Sequence, residues 1–351
     1  VAWLAFLATA WGLATCGMAL VGSVPAFWAV RCVLGLFEAG FYPGTIVYLR
    51  SFFGEEDFGF AYALTLSSTC VALAFGGPII AGIEAVSPLL WPGYDSWRAC
   101  FWVQGAMAVL CGVLLFVLQP RSIESSRFLS ESEKTVANRL ATDSDASSSS
   151  SSSSSPAPLS RTLRDPALWL FSVGWLLFQL PYWGFIYFVP KLIEEFEGDS
   201  ASALGVLLLS SVPYTASVVG NVCIAASASR LGVNSRFPHL LFAVFLVILG
   251  FLMSALFKSA TVKIFGLAVT GAGLWGNYGP LWSMVTQEAT ASGDKGTFIA
   301  FCNGFGTFAG MIGPYLVTVF DTRECAFAFF AAVAASSVGA FVKAVDVSKS
   351  G

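Results

Sequence analysis

Long stretches of this chain carry no charged side chain: residues 2–30, 167–190 and 237–257 each lack Asp, Glu, Lys and Arg entirely. Charge makes up 11% of the 351 residues and hydrophobic side chains 56%, against about 25% charge in a soluble domain. A soluble fold of this size has nowhere to hide so much apolar surface. A helix needs about 20 residues to cross roughly 30 Å of hydrocarbon, and ten segments are long and apolar enough: 1–22, 25–49, 59–83, 97–118, 167–190, 203–226, 237–256, 260–283, 296–319 and 325–345. Backbone polar groups in lipid must bond within their own segment, which helices achieve. The expected fold class is therefore all-α, a polytopic membrane protein.

The one long hydrophilic stretch, Gln119 to Pro166, holds nine consecutive serines, Ser147 to Ser155, and reads as a flexible linker. It divides the chain into a first bundle of four spans (1–118), the linker (119–166), a second bundle of six spans (167–346) and a tail (347–351). Of the 18 Lys and Arg, Arg31 lies inside a span, five (Arg98, Lys191, Lys258, Lys263, Arg323) fall in loops on one side, and twelve fall on the other. The positive-inside bias places both termini and the serine linker in the cytoplasm.

Punctuating residues recur at a constant offset of 236: Gly35 with Gly271, Gly40 with Gly276, Tyr42 with Tyr278, Gly77 with Gly313, and Pro78 with Pro314. Such self-similarity reads as two parallel structural repeats. It pairs the second span with the eighth and the third with the ninth, leaving the fifth and sixth without counterparts. Equal halves then predict two further spans ahead of Val1, twelve in all.

Several function classes fall away. A net charge of -3 provides no basic footprint for nucleic acid. Cys16, Cys32, Cys70, Cys111, Cys223 and Cys302 lie within apolar runs, and no CxxC or Cys/His cluster exists, so neither a metal nor a cofactor is expected. An intramembrane enzyme would need a carboxyl dyad or a metal cluster; one histidine, His239, does not supply either, and it reads as an interface residue.

Within the spans the well-buried ionisable residues are Arg31 and Glu38. A charge at bilayer depth costs about 2.5–3.5 kcal/mol on insertion scales, so each needs a reason to be there. Seven residues is almost two helical turns, which sets both on one stripe about 10 Å apart along the axis, with Gly35 and Tyr42 on the same face. Either the pair holds the bundle together through neighbouring helices, or Arg31 binds an anion and Glu38 exchanges a coupling proton. Weaker candidates for substrate contact are Gln179, Tyr182 and Trp183 on the fifth span, Tyr214 with Ser217 and Asn221 on the sixth, and Asn277, Tyr278 and Asn303. Any of these also serves as an interhelical hydrogen-bonding group.

The run from Arg31 through Gly35, Glu38, Gly40, Tyr42 and Pro43 to Gly44 resembles the fourth-helix signature of the anion:cation symporter family within the major facilitator superfamily, which includes fungal allantoate, nicotinate and pantothenate permeases. Trp97-Arg98 with Phe101 and Gly105, the segment Phe128 to Glu133, and Gly313-Pro314-Tyr315-Leu316 are similar to that family's sixth helix, post-helix segment and eleventh helix. Departures are the absent first two helices, a sparse basic motif (Arg230, Arg236) before His239, and the serine tract. The resemblance implies a major facilitator fold of two helical bundles, with ten of its twelve helices in this chain. It also implies a secondary active symporter in a plasma or organelle membrane, moving a small organic anion with a coupling proton by alternating access. The alternative is a non-transporting nutrient sensor or an inactive truncated transporter.

Overall fold

The computed structural model of the protein describes residues 1–138, 162–198, 202–291, 295–320 and 322–350. The serine tract lies outside the described residues. Among the described residues there is no strand, and the helices run in order α1 Ala2–Met18, α2 Val24–Ala39, α3 Phe41–Arg50, α4 Glu55–Leu90, α5 Ser96–Leu118, α6 Pro166–Glu197, α7 Ala203–Arg230, α8 Arg236–Leu256, α9 Ala260–Gly276, α10 Tyr278–Ala291, α11 Lys295–Thr307, α12 Ala309–Val319 and α13 Arg323–Ser350. Each of the ten expected spans coincides with helix. Seven are long and apolar enough to cross a membrane, α2 and α3 counting together as Val24–Arg50.

Local chemistry sets the helix starts. The side chains of Ser23, Asp165 and Ser202 accept from the amides of Ala26, Ala167 and Gly205, satisfying donors that the first turn leaves free. Two of the spans are broken in mid-course for the same reason. Pro43 has no N–H for the carbonyl of Ala39, and the chain leaves helix at Gly40; Pro280 has none for Gly276, and the chain leaves helix at Asn277. The breaks fall within one residue of the repeat offset, so the two halves share a backbone feature as well as side chains.

The helices fall into two compact units, Val1–Gly54 with Gly76–Ser144, and Glu55–Phe75 with Asp145–Gly351. The expected first bundle took in all of 59–83, whereas the first half of α4 packs with the second unit. There Gly59 lies against the backbone of Gly279, Tyr62 meets Trp282 edge-on at 6.3 Å, and the Asn221 amide donates to the Ala63 carbonyl (2.6 Å) and the Ser67 hydroxyl (3.1 Å).

Lipid gives helices no hydrophobic reason to associate, so close packing of small residues does that work. In the first unit α1 and α5 cross glycine to backbone. A Cβ on Gly105 would stand 2.7 Å from the amide nitrogen of Cys16 and 2.8 Å from the Gly12 carbonyl, and one on Gly12 2.6 Å from the amide nitrogen of Val109. Arg98 closes the same crossing: Nη1 donates to the Ala19 carbonyl at 2.5 Å, Nε pairs with Asp95 at 3.1 Å, and the guanidinium lies 4.5 Å from the Trp97 ring. The Trp97-Arg98…Gly105 pattern is thus the fastening of α1 to α5. Gly105→Val should cost about 1–3 kcal/mol through overpacking against backbone that has no rotamer to yield, read as a lower Tm of the detergent-solubilised protein. An unchanged Tm would mean that the helices separate freely there.

The segment after α5 is more ordered than a plain linker. Residues 131–138 are helical, opened by a reciprocal cap in which Ser130 donates its N–H (2.8 Å) and hydroxyl (2.7 Å) to the Glu133 carboxylate. These bonds hold the Glu133 carboxyl below its usual range. Their contribution is present above the ordinary glutamate value of about 4.3 and is lost as pH falls through the lowered value. Amide protection across 131–138 should drop in that acid window, and Glu133→Gln should remove the dependence; pH-independent protection would contradict the cap.

Candidate functional site

Arg31 and Glu38 sit on α2, which has no buried residue along its length. The Arg31 guanidinium lies 5.3 Å from the Phe27 ring one turn earlier, and Arg31 is the charge that acts on Glu38. Neither side chain makes an ion pair within 4.0 Å among the described residues. The stripe expected to run on to Tyr42 is interrupted at Gly40, so Tyr42 belongs to α3, with its ring edge-on to Phe41 at 6.4 Å. Helix α4 continues past residue 83 to Leu90 and brings a second carboxyl, Glu84, into a candidate span of the first unit. Glu38 is therefore not alone in the spans.

In the second unit α6 and the broken α9–α10 pair bring aromatic and neutral polar groups together. Gln179 is buried and accepts from the Tyr278 hydroxyl at 3.5 Å. Tyr182 packs between Trp275 (4.8 Å) and Tyr278 (5.8 Å), while Trp175 meets Tyr278 at 5.2 Å and Trp282 at 5.6 Å. Trp183 lies beside Tyr182 at 5.6 Å, its indole seated over Gly310 and its Cβ near Gly313. Asn277 occupies the break itself and is wholly buried.

The residues predicted for this region thus divide. Gln179, Tyr182, Trp183, Asn277 and Tyr278 are brought together. Tyr214 is committed elsewhere: Pro190 leaves the Ile186 carbonyl without an intrahelical donor, and the Tyr214 hydroxyl supplies one at 3.1 Å. The Ser217 hydroxyl bonds back to Pro213, and Asn221 clamps α7 to α4. Asn303, half-buried on α11, takes a bond from Thr307 on its carbonyl and is not joined to the cluster.

Several buried polar atoms find no hydrogen-bond partner among the described residues: the indole nitrogens of Trp175, Trp183 and Trp282, and both amide atoms of Asn277. Buried polar groups are normally satisfied, and each orphan costs about 1–3 kcal/mol. Their concentration on α6 and at the α9–α10 break marks one buried region that is donor-rich and uncharged. Groups of this composition are able to stack on and hydrogen-bond a planar or hydroxylated organic body.

Residues 1–314 match the Major Facilitator Superfamily. The chain belongs to this superfamily. It is 28% identical over 318 residues to a quinolone resistance transporter of Acinetobacter baumannii, covering 89% of this chain and 70% of that protein. It is 29% identical over 322 residues to a putative tartrate transporter of Agrobacterium vitis, covering 90% and 68%. Among solved structures, the proton:xylose symporter XylE superposes with a TM-score of 0.67 at 14% identity, covering 95% of this chain and 77% of that one. The fold is thus the major facilitator fold, its relatives are transporters, and the chain is a multi-pass membrane protein.

Three indoles of this superfamily member, Trp175, Trp275 and Trp282, were not among the residues expected in the site. Helical spacing carries the signal for them: Trp175, Gln179 and Tyr182 stand at i, i+4 and i+7, and Trp275, Tyr278 and Trp282 at i, i+3 and i+7.

Proposed function

We propose that this protein is a proton-coupled secondary transporter of a small organic anion, with both termini cytoplasmic. Arg31 binds the anionic group and Glu38 exchanges the proton; within the second unit, Gln179, Tyr182, Trp183, Asn277 and Tyr278 supply aromatic and neutral polar contacts. The observation that carries the reading is Arg31 itself, a guanidinium within a candidate membrane span that lies over a phenyl ring and makes no ion pair within 4.0 Å among the described residues. A structural arginine in a span would be expected in an ion pair, given the cost of an uncompensated charge at bilayer depth. The putative tartrate transporter, whose named cargo is a dicarboxylate, supports an anionic substrate, as does the resemblance of the Arg31 to Gly44 run to the anion:cation symporters.

The test is uptake into vesicles reconstituted with the protein, under an imposed inward proton gradient, of labelled tartrate and other carboxylates against neutral xylose. Accumulation of a carboxylate that collapses with the gradient is the expected result. Gradient-driven uptake of the neutral sugar alone would overturn the assignment. A tag in the Ser147 to Ser155 run should likewise react with an impermeant reagent only from the cytoplasmic side.

A further inference from the structure

A groove of about 300 Å³ lies between α7 and α8, lined by Cys223, Ile224, Ser227, Pro238, His239 and Phe242. None of these residues belongs to the region assigned above. Its walls change character along their length. On α7, Cys223 and Ser227 line the groove at i and i+4, and Arg230 follows at i+7 beyond the lined wall, so the stripe passes from thiol to hydroxyl to guanidinium as it nears the end of the helix. On α8, Phe242 and His239 repeat the gradient toward the same end, where the short 3-10 turn Val233–Ser235 joins the helices.

The polar end is held in place by protein contacts. His239 Nδ1 lies 2.6 Å from the Ser235 carbonyl, which only accepts, so that nitrogen carries a proton; Nε2 is hydrogen-bonded to the Ser227 hydroxyl at 2.9 Å. The Ser235 hydroxyl ties the turn to the end of α7 through the Ala228 carbonyl at 2.9 Å. Arg230, at the end of the stripe, is exposed and makes no ion pair among the described residues.

We infer that this groove is a binding site for an anionic phospholipid, one acyl chain lying along Cys223, Ile224 and Phe242 and the phosphate meeting Arg230 beside Ser227. Charge and polarity complementarity select that occupant. A free phosphate would meet one cation above an apolar wall, with nothing to fill the depth of the groove, and a zwitterionic lipid would fill the depth while gaining less from Arg230. The chain supplies the apolar contact and the headgroup the charge, the division of labour by which proteins at membrane surfaces hold lipid.

Native mass spectrometry of the purified full chain, equilibrated in micelles with equal amounts of dioleoyl phosphatidylglycerol and dioleoyl phosphatidylcholine, tests this. One phosphatidylglycerol should be retained in about fivefold preference, the increment expected from a single surface arginine. Arg230→Gln, at an exposed position, should equalise the two lipids without emptying the site. Cys223→Trp should fill the groove and abolish retention of both, and glycerol phosphate without acyl chains should neither bind nor compete. The proposal is overturned by a preference that survives Arg230→Gln, by undiminished retention in a folded Cys223→Trp variant, or by glycerol phosphate binding as well as the lipid does.

Discussion

Replacing Arg31 by alanine should abolish carboxylate uptake while leaving the protein folded and inserted. A charge-assisted hydrogen bond contributes about 1.5–3 kcal/mol, so the variant should bind its anion about 10–100-fold more weakly at saturating gradient. Arg31→Lys should keep a fraction of the activity, because lysine retains the charge and loses the planar fork that engages both oxygens of a carboxylate. Folding should be little affected. Arg31 stacks on Phe27 of its own helix and ties α2 to no other helix by an ion pair among the described residues. That separates it from Arg98 and Arg323, whose guanidiniums bind carbonyls at helix ends, Ala19 and Val317, and whose loss should lower stability first. Normal uptake by the alanine variant at matched surface expression would assign Arg31 no part in binding.

Hydropathy alone made the spans legible, because lipid imposes one requirement, a continuous apolar helix of sufficient length, and sequence displays it directly. Hydropathy does not display the interruptions within them. The spans 25–49, 260–283 and 296–319 each contain a break, at Gly40, Asn277 and Phe308. Prolines 43 and 280, each removing one intrahelical donor, account for the first two. At Phe308 the backbone shifts to i→i−3 bonding, with Phe308 N bonded to the Phe305 carbonyl and Met311 N to Phe308, a change that no single residue announces. The end of α4 was also misplaced. Ser87 and Pro88 lower hydropathy beyond residue 83 without ending the helix, so hydropathy alone leaves Glu84 outside the span.

The candidate site divides along a different line. Unpaired charge in a span is conspicuous, and Arg31 and Glu38 stand out in any reading of the sequence. Neutral residues do not sort themselves, because a tyrosine or asparagine in a span serves a ligand and a neighbouring helix equally well until its partners are known. Tyr214 shows this: its commitment to the Ile186 carbonyl follows from Pro190 on another helix, and no local pattern around residue 214 reports it. Asn277 shows the reverse, a wholly buried amide with both atoms unpartnered among the described residues. Its character depends on a helix break set by Pro280 three residues away.

Glu38→Gln should separate proton coupling from substrate binding. Glutamine has the shape of a protonated glutamate and cannot release the proton, so the variant is held in one state of the coupling cycle. If Glu38 carries the proton, the variant should still exchange labelled anion for unlabelled anion across the membrane at near wild-type rates, since exchange requires only that the loaded protein reorient. Accumulation against a concentration gradient, driven by an imposed pH difference, should disappear. Glu84 makes the experiment decisive, because it is the other carboxyl well within a candidate span of the first unit and lies on a different helix from Arg31. Glu84→Gln should leave both assays unchanged, its carboxylate having no cation within ion-pair distance among the described residues and no anion-binding partner on its own helix. The reverse pattern, with accumulation lost in Glu84→Gln and kept in Glu38→Gln, would transfer the coupling proton to α4 and leave Arg31 to bind the anion without a carboxyl on its own helix.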